Sequence, residues 1–485
     1  MTADVEKTRY PPSFFDQQLF PRLPWLTARN VAYFLIIWFT AFFAGSLAVN
    51  NPFLNSPGAT AALWFGVGSG YPSYYWVVMY LHGLNSGLMA LAGLAAVALL
   101  ALPSLHVRKG ILIGALIAGI LSPIGAVFNS LPAWNAGAGL WVQITAFLAL
   151  DEIVILILWG MLDLWRTGAE RSRTMPFVTV ALCAGDLLLA ALLGHIAGTM
   201  VGFGDPSGIF SGYAAQIGVS FGDLETSVIE NHAYLMTSTV PVGMVTLLAI
   251  RFGYYGLTGW TKNLARTGFV LTSFGLLFQA GLALIEGVGA FSNALPSWVS
   301  SFPFVPSFLG VDDGVNAVFM VLGCSFVLIA LAIGSKRVQG LGLPLGVPLR
   351  ITPFIAFITF VTVTALTEPV GPSVVGTPPE AWIRLFIAFW LCWALVMVVL
   401  LAEHLVDTGR NAGQVMRIGW TALAGVLLIL GGVTDYMQTG TYAGGYVAVA
   451  GVGLVAISFL LTAGYGLMGW KARSHAPSGK TQWSH

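Results

Sequence analysis

Residues 138–173 read AGLWVQITAFLALDEIVILILWGMLDLWRTGAERSR, a mostly apolar run that ends in a short segment rich in arginine. About 20 apolar residues suffice to cross the hydrocarbon core of a bilayer as an α-helix, and this run is longer than that. The arginines after it are typical of a loop on the cytoplasmic side, since such loops retain positive charge. The stretch therefore predicts a membrane-spanning helix that ends in the cytoplasm, followed by three basic residues: Arg166, Arg171 and Arg173.

The same alternation of apolar runs and basic gaps continues along the chain. Twenty of the 21 lysines and arginines lie in the two terminal segments or in every second gap between apolar runs, and Arg384 is the exception. This pattern predicts an all-α integral membrane protein with twelve transmembrane helices and both termini in the cytoplasm. We place the spans at residues 30–49, 73–102, 110–128, 138–165, 176–202, 225–250, 267–290, 313–335, 350–367, 381–405, 415–434 and 444–470.

Composition supports a membrane protein and argues against several other classes. The chain has 485 residues, of which 57% are hydrophobic and 8% are charged, whereas a soluble domain carries roughly 25% charged residues. A net charge of +1 without a basic cluster argues against nucleic-acid binding. We expect a cytoplasmic segment at 1–29 without a cleavable signal peptide, a transmembrane domain at 30–470 surrounded by lipid, and a cytoplasmic tail at 471–485. The expected location is the cytoplasmic (inner) membrane.

Three histidines fall within the predicted spans at similar depths. At 1.5 Å per residue, His82, His195 and His232 all lie roughly 10–14 Å below the outer surface. Imidazoles in one layer can ligate a haem iron or a metal ion; the alternative is that each one hydrogen-bonds a neighbouring helix. Glu230 precedes His232 by two residues, where its carboxylate would ligate a metal, accept a proton or only mark the hydrated start of the helix.

Acidic residues deep within the spans are a second set of candidates. Asp151 and Glu152 lie at the middle of the fourth span, and Asp186 lies near the middle of the fifth. Ionisable groups are costly in the bilayer, so each one requires a reason. No lysine or arginine lies at their depth, which favours neutral acids or a hydrated path. These acids would relay protons, or Asp186 would hold a structural hydrogen bond.

Four local motifs and one spacing are similar to segments at the corresponding helices of a known membrane-protein family. They are Tyr74-Tyr75, Leu81-His82-Gly83-Leu84-Asn85, Leu162-Asp163-Leu164-Trp165-Arg166, Pro176-Phe177-Val178-Thr179, and His232 with Pro241 nine residues later. Together with the twelve spans, they resemble subunit I of the haem-copper oxidases, in its B-type branch. The resemblance covers residues 70–266 and beyond them rests on the number of helices. It implies that His82 is an axial ligand of a low-spin haem and that His232 ligates copper.

The chain departs from this family where most of the other ligands would lie. The seventh span, 267–290, contains no histidine, whereas the family carries an adjacent histidine pair there for copper. The tenth span lacks the family's His-x-His pair near its outer end, and Met236 stands where the family has a tyrosine. We therefore do not expect conventional oxygen reduction.

Three arrangements are compatible with the residues that remain. One b-type haem would use His82 with His195 or His232 as axial ligands, a copper or iron ion would use the three histidines with Glu230, or cofactors would be absent. The first arrangement predicts a divergent oxidase-like subunit in respiratory electron transfer, with protons moved by the membrane acids. It would receive electrons from a redox subunit on the outer side, such as a cytochrome or a cupredoxin. The alternative is a cofactor-free membrane transporter, or an assembly or structural subunit, on the same scaffold.

Overall fold

Helices make up all of the regular structure in the part of the chain that can be described. The computed structural model describes residues 14–49, 72–130, 136–203, 205, 207–287, 312–336, 338, 412–439 and 442–474. Eleven α-helices lie within these ranges: α1 (Ala28–Val49), α2 (Pro72–Leu100), α3 (Leu105–Ser130), α4 (Ala136–Arg166), α5 (Met175–Phe203), α6 (Ile209–Ile217), α7 (Phe221–Arg251), α8 (Gly259–Gly287), α9 (Asp312–Gly334), α10 (Ala412–Thr439) and α11 (Tyr442–Ser474). Short 3-10 helices occur at Phe14–Asp16, Glu170–Arg173 and Tyr254–Gly256.

Ten of these helices are long, and all ten carry an apolar stretch. Four stretches are long and apolar enough to cross a membrane: Leu105–Gly125, Trp141–Arg166, Met175–Met200 and Gly259–Leu284. Shorter apolar stretches lie on the other six long helices. The chain is thus a multi-pass helical membrane protein.

The long helices coincide with ten of the predicted spans, although some begin earlier. Helix α3 begins at Leu105 rather than at residue 110, and α8 begins at Gly259 rather than at residue 267. Hydropathy marks only the apolar part of a helix, while backbone hydrogen bonds continue through the basic residues before it. The predicted spans 350–367 and 381–405 lie outside the described residues. The short helix α6, between α5 and α7, was not predicted.

Local chemistry explains where several of these helices begin and end. Ser220 and Asp223 form a capping box at the start of α7: Ser220 Oγ accepts from the Asp223 backbone N–H, and the Asp223 carboxylate accepts from the Ser220 backbone N–H. Gly168 (φ 70°) and Gly253 (φ 98°) adopt the left-handed conformation in the α4–α5 and α7–α8 connections. These short connections make each of the two helix pairs antiparallel neighbours.

The packing of α5 decides which side chains meet inside the bundle. Helices α4, α7 and α8 all pack against α5. The largest apolar core joins α1 to α4 with parts of α5, α7, α10 and α11. Close backbone approaches occur where glycines lack a Cβ, as between Gly268 of α8 and Gly323 of α9. The bundle thus places residues of α4, α5 and α7 within reach of one another.

Candidate functional site within the membrane bundle

A carboxylate and an imidazole meet between α4 and α5. The Nε2 atom of His195 lies 2.8 Å from Oδ2 of Asp151, which is a hydrogen bond. Both side chains are partly accessible, with 38% of His195 and 21% of Asp151 exposed. The sequence identified each residue separately, as a cofactor ligand and as a proton carrier, and the structure joins them as a pair.

His232 of α7 lies directly against α5, beside this pair. Its Nδ1 atom lies 2.7 Å from the backbone carbonyl oxygen of Ala190. Because a carbonyl only accepts, Nδ1 is the donor, and in the neutral ring Nε2 carries the lone pair. A Cβ built on Gly194 would lie 2.5 Å from Cε1 of the His232 ring, so only glycine fits at that position. The His232 ring therefore packs against the residue immediately before His195.

The Asp151–His195 pair can bind and release a proton without any movement of the backbone. One proton is shared between the carboxylate oxygen and Nε2, and Nδ1 of His195 is the second protonation site. A proton at Nδ1 gives an imidazolium beside a carboxylate, with no net charge on the pair. Release of that proton leaves one negative charge within an apolar bundle. The arrangement is thus suited to proton exchange.

The other predicted site residues lie elsewhere or outside the described side chains. Glu152 follows Asp151 on α4 but is exposed on the bundle surface, towards Gly110 of α3. Asp186 is 5% exposed on α5, and its Oδ2 atom has no hydrogen-bond partner. His82 lies on α2 and Glu230 on α7, but their side chains are not among those described.

Metal binding finds limited support in the described part of the chain. Among those residues, no group of three or more His, Cys, Asp or Glu side chains could hold a metal ion. The side chain of His232 is described, and its Nδ1–H···O bond resembles the support that ligating histidines receive. A metal site with His82 and Glu230 therefore stays a prediction.

Two features of the site were not expected from the sequence: the carbonyl of Ala190 as a hydrogen-bond acceptor and Gly194 as the contact for an imidazole. The signal was present, because Ala190 and Gly194 are small residues four positions apart and so lie on one face of α5. Such pairs allow a neighbouring helix to approach closely. The pairing of Asp151 with His195 was harder to foresee. At 1.5 Å per residue from the α4–α5 connection, Asp151 and His195 differ in depth by roughly 8 Å. The residue count alone therefore does not place them side by side.

The chain was also compared with known proteins. It matches no protein-family model, no curated protein and no solved structure.

Proposed function

We propose that the protein moves protons within the bilayer through Asp151, His195 and His232. In this proposal the chain has twelve transmembrane helices, with both termini in the cytoplasm of a cell whose inner membrane it occupies. The observation that supports it is the hydrogen bond between Asp151 and His195 within two apolar helices. An aspartate at the centre of a membrane helix costs about 2.5–3.5 kcal/mol on insertion scales, so a functional reason is the default expectation.

A purely structural role for the pair is the competing explanation. A polar clamp between α4 and α5 would hold the helices together, but buried ion pairs often add no more stability than apolar residues of similar volume. Nδ1 of His195 also provides a second protonation site, which a structural clamp would not require. These two points favour proton exchange over a clamp.

The test is proton flux into liposomes that contain the purified protein and an enclosed pH-sensitive dye. A potassium diffusion potential drives the flux. We expect Asp151→Asn and His195→Gln to lower the initial rate about tenfold or more, because each removes a proton-exchanging group. Glu152→Gln is the matched control, since it neutralises the adjacent exposed acid and should leave the rate unchanged. Wild-type flux in Asp151→Asn, or none above protein-free liposomes in the wild type, would contradict the proposal.

A second candidate function is electron transfer by a b-type haem, in the respiratory role that the resemblance implies. The observation that favours it is the bond from His232 Nδ1 to the Ala190 carbonyl, which orients the ring in the way that ligating histidines are often held. A bound haem would supply one-electron redox chemistry at this depth. Electrons would come from a cytochrome or cupredoxin subunit on the outer side, and copper would require Glu230 as a further ligand.

The geometry around α5 bears on which histidines would hold that haem. The Nε2 atom of His195 is bonded to Asp151 of α4, so ligation through that atom would break the pair. The bond of His232 to Ala190 lies at Nδ1 instead. Of the two axial pairs that the sequence offers, His82 with His232 is therefore the one we propose.

A reduced-minus-oxidised absorption spectrum of the purified protein, with metal analysis on the same sample, tests this second function. We expect the bands of a six-coordinate haem and their loss in His82→Ala. Full haem content in that variant would refute the assignment to His82. A wild-type sample without haem, copper or iron would instead favour the cofactor-free transporter or the assembly subunit, and the flux experiment would separate those two.

A further inference from the structure

Two positive charges lie on one face of α8, close to its first residue. Lys262 and Arg266 are four positions apart in a helix that begins at Gly259. Like charges at this spacing repel each other, and a cation in the first turn faces the positive end of the helix dipole. Among the described residues, neither side chain forms an ion pair with a carboxylate. The start of α8 therefore carries positive charge that a bound anion would offset.

The turn before α8 holds both cations near one tyrosine. Lys262 Nζ donates to the backbone carbonyl of Tyr254 at 2.9 Å and lies 3.7 Å from the centroid of its ring. Arg266 interacts with the hydroxyl of the same tyrosine. Tyr254 is itself buried and packs edge-on against Phe269 of α8, with ring centroids 5.3 Å apart. Because an ammonium group has three N–H donors, Lys262 is held in place and still has donors for a further acceptor.

An exposed apolar line continues from the two cations along α8. Val270, Phe274 and Leu277 are exposed by 53%, 50% and 57%, and their spacing from Arg266 places them on its face of the helix. From Arg266 to Leu277 the helix rises roughly 16 Å at 1.5 Å per residue, which is about half of the hydrocarbon core of a bilayer. This face of α8 thus has cations at one end and an apolar surface as long as the chains of one lipid leaflet.

We propose that this face of α8 binds an anionic phospholipid, with the phosphate at Lys262 and Arg266 and a hydrocarbon chain along Val270, Phe274 and Leu277. Charge complementarity selects an anionic headgroup, because a zwitterionic lipid carries a cation of its own that the pair repels. The apolar line selects a lipid over free phosphate, since a free anion has nothing to cover it. The basic gap before α8 predicts that the lipid belongs to the cytoplasmic leaflet.

Membrane topology alone accounts for less of this arrangement. Orientation requires positive charge somewhere in the gap between α7 and α8, but it requires neither the contact of Lys262 with Tyr254 nor the alignment of Arg266 with an apolar face. Trp260 and Tyr255, exposed by 60% and 40%, are the aromatic residues typical of the membrane boundary, where a headgroup lies. The lipid site does not depend on the proposed proton function.

Lipid retention by the whole purified protein tests the site. The protein is reconstituted in vesicles of equal parts phosphatidylglycerol and phosphatidylcholine, extracted in detergent, and weighed with its bound lipids by native mass spectrometry. We expect the double variant Lys262→Gln/Arg266→Gln to retain one phosphatidylglycerol fewer than the wild type. The matched control is Lys109→Gln/Arg166→Gln, which removes the same charge at two other predicted cytoplasmic positions and should retain as much as the wild type.

A photoreactive side chain in the same vesicles reports the position of the lipid and leaves the two cations unchanged. We expect Val270→benzoylphenylalanine to capture phosphatidylglycerol several-fold more than Leu148→benzoylphenylalanine, which places the label on α4 at a residue with 56% exposure. An excess of inorganic phosphate should leave the capture unchanged. Equal capture at the two positions, or equal retention by the double variant and the wild type, would overturn the site. Loss of capture in phosphate would show that the cations bind a free anion and not a lipid.

Discussion

Gly194 is the residue whose missing side chain sets how closely His232 approaches α5. We predict that Gly194→Ala displaces the imidazole and breaks its bond to Ala190, since the new Cβ would lie 2.5 Å from the ring. Overpacking of this kind typically costs about 1–3 kcal/mol. Thermal unfolding of the purified protein in detergent should show a lower midpoint, and proton flux should fall with it.

The matched control is Gly198→Ala, one turn further along α5, where a Cβ would meet no atom within 4 Å. There alanine should be neutral or stabilising by up to about 1 kcal/mol, because glycine is the poorer helix former. Equal effects at the two positions would show that loss of glycine, rather than contact with His232, explains the result.

At the scale of single residues, the sequence identified the chemistry but not the partners. His195, His232 and Asp151 are recognisable because charged or basic groups are rare in apolar spans. Their partners depend on the tilt and rotation of α4, α5 and α7, which hydropathy leaves undetermined. The sequence therefore identified three candidate ligands in one layer, and the described side chains show a His–Asp pair with an adjacent imidazole. The ligand set stays a prediction, because the side chain of His82 is not among those described.

Helices α8 and α9 depend on a contact between two backbones. A Cβ on Gly268 would lie 2.5 Å from the carbonyl oxygen of Gly323, an atom that cannot move without the helix. We predict that Gly268→Ala separates the pair and destabilises the protein by about 1–3 kcal/mol. Gly281→Ala is the control on the same helix, since its Cβ would meet nothing within 4 Å. Unfolding midpoints of both variants measure the difference, and a Gly268→Ala protein as stable as the control would contradict this account.

The short helix α6 begins with an interaction that depends on pH. Gly208 at its N-cap has no side chain, and the carboxylate of Asp205 accepts from Ser211 through the backbone N–H at 2.6 Å and the hydroxyl at 2.7 Å. Partial desolvation raises the pKa of Asp205, but these hydrogen bonds outweigh it, so the pKa lies below its usual value. A lowered folded pKa means that the stabilisation is complete above the unfolded pKa of about 3.9 and is lost as pH falls through the folded value.

We therefore predict that amide protection in α6 is constant from neutral pH down to about 4 and declines below it. Hydrogen exchange of the peptide that contains Ser211, expressed as protection factors, measures this. In Asp205→Asn the protection should be lower and no longer vary with pH in this range. A decline that begins near neutral pH in the wild type would show that another group controls the helix start.

At the scale of elements, long apolar helices were predictable and their polar ends were not. The spans at 138–165 and 176–202 differ by only one or two residues from α4 and α5. Hydropathy did not predict the early start of α8 or the presence of α6, because neither feature depends on a long apolar run. A helix of nine residues in a glycine-rich connection depends on its caps, here Asp205 and the glycines that flank it, rather than on apolar periodicity.

For the whole molecule, the alternation of basic gaps makes the orientation of the chain testable. Helix α4 ends at Arg166 and two more arginines follow in the gap before α5, whereas the segment between α5 and α7 contains no lysine or arginine. We therefore predict that the first gap is cytoplasmic and that the second is external. Alkaline phosphatase requires disulfides and is active only outside the cytoplasm. Fusions truncated at residue 170 should be inactive and those truncated at residue 205 should be active. A fluorescent protein at the C-terminus should fluoresce, as a cytoplasmic end requires.

The same fusions decide between twelve spans and another number. With both termini in the cytoplasm, the number of spans is even. Active phosphatase in fusions truncated at residues 367 and 434 would agree with the ninth and eleventh predicted spans. An active phosphatase at the C-terminus would mean that the number of spans is odd and that the two termini lie on opposite sides of the membrane. It would leave the Asp151–His195 pair in place, since that pair depends only on the contact between α4 and α5. A reporter at residue 170 that is active would be more serious, because α4 and α5 would then run in the opposite direction and a proton would enter the site from the other side.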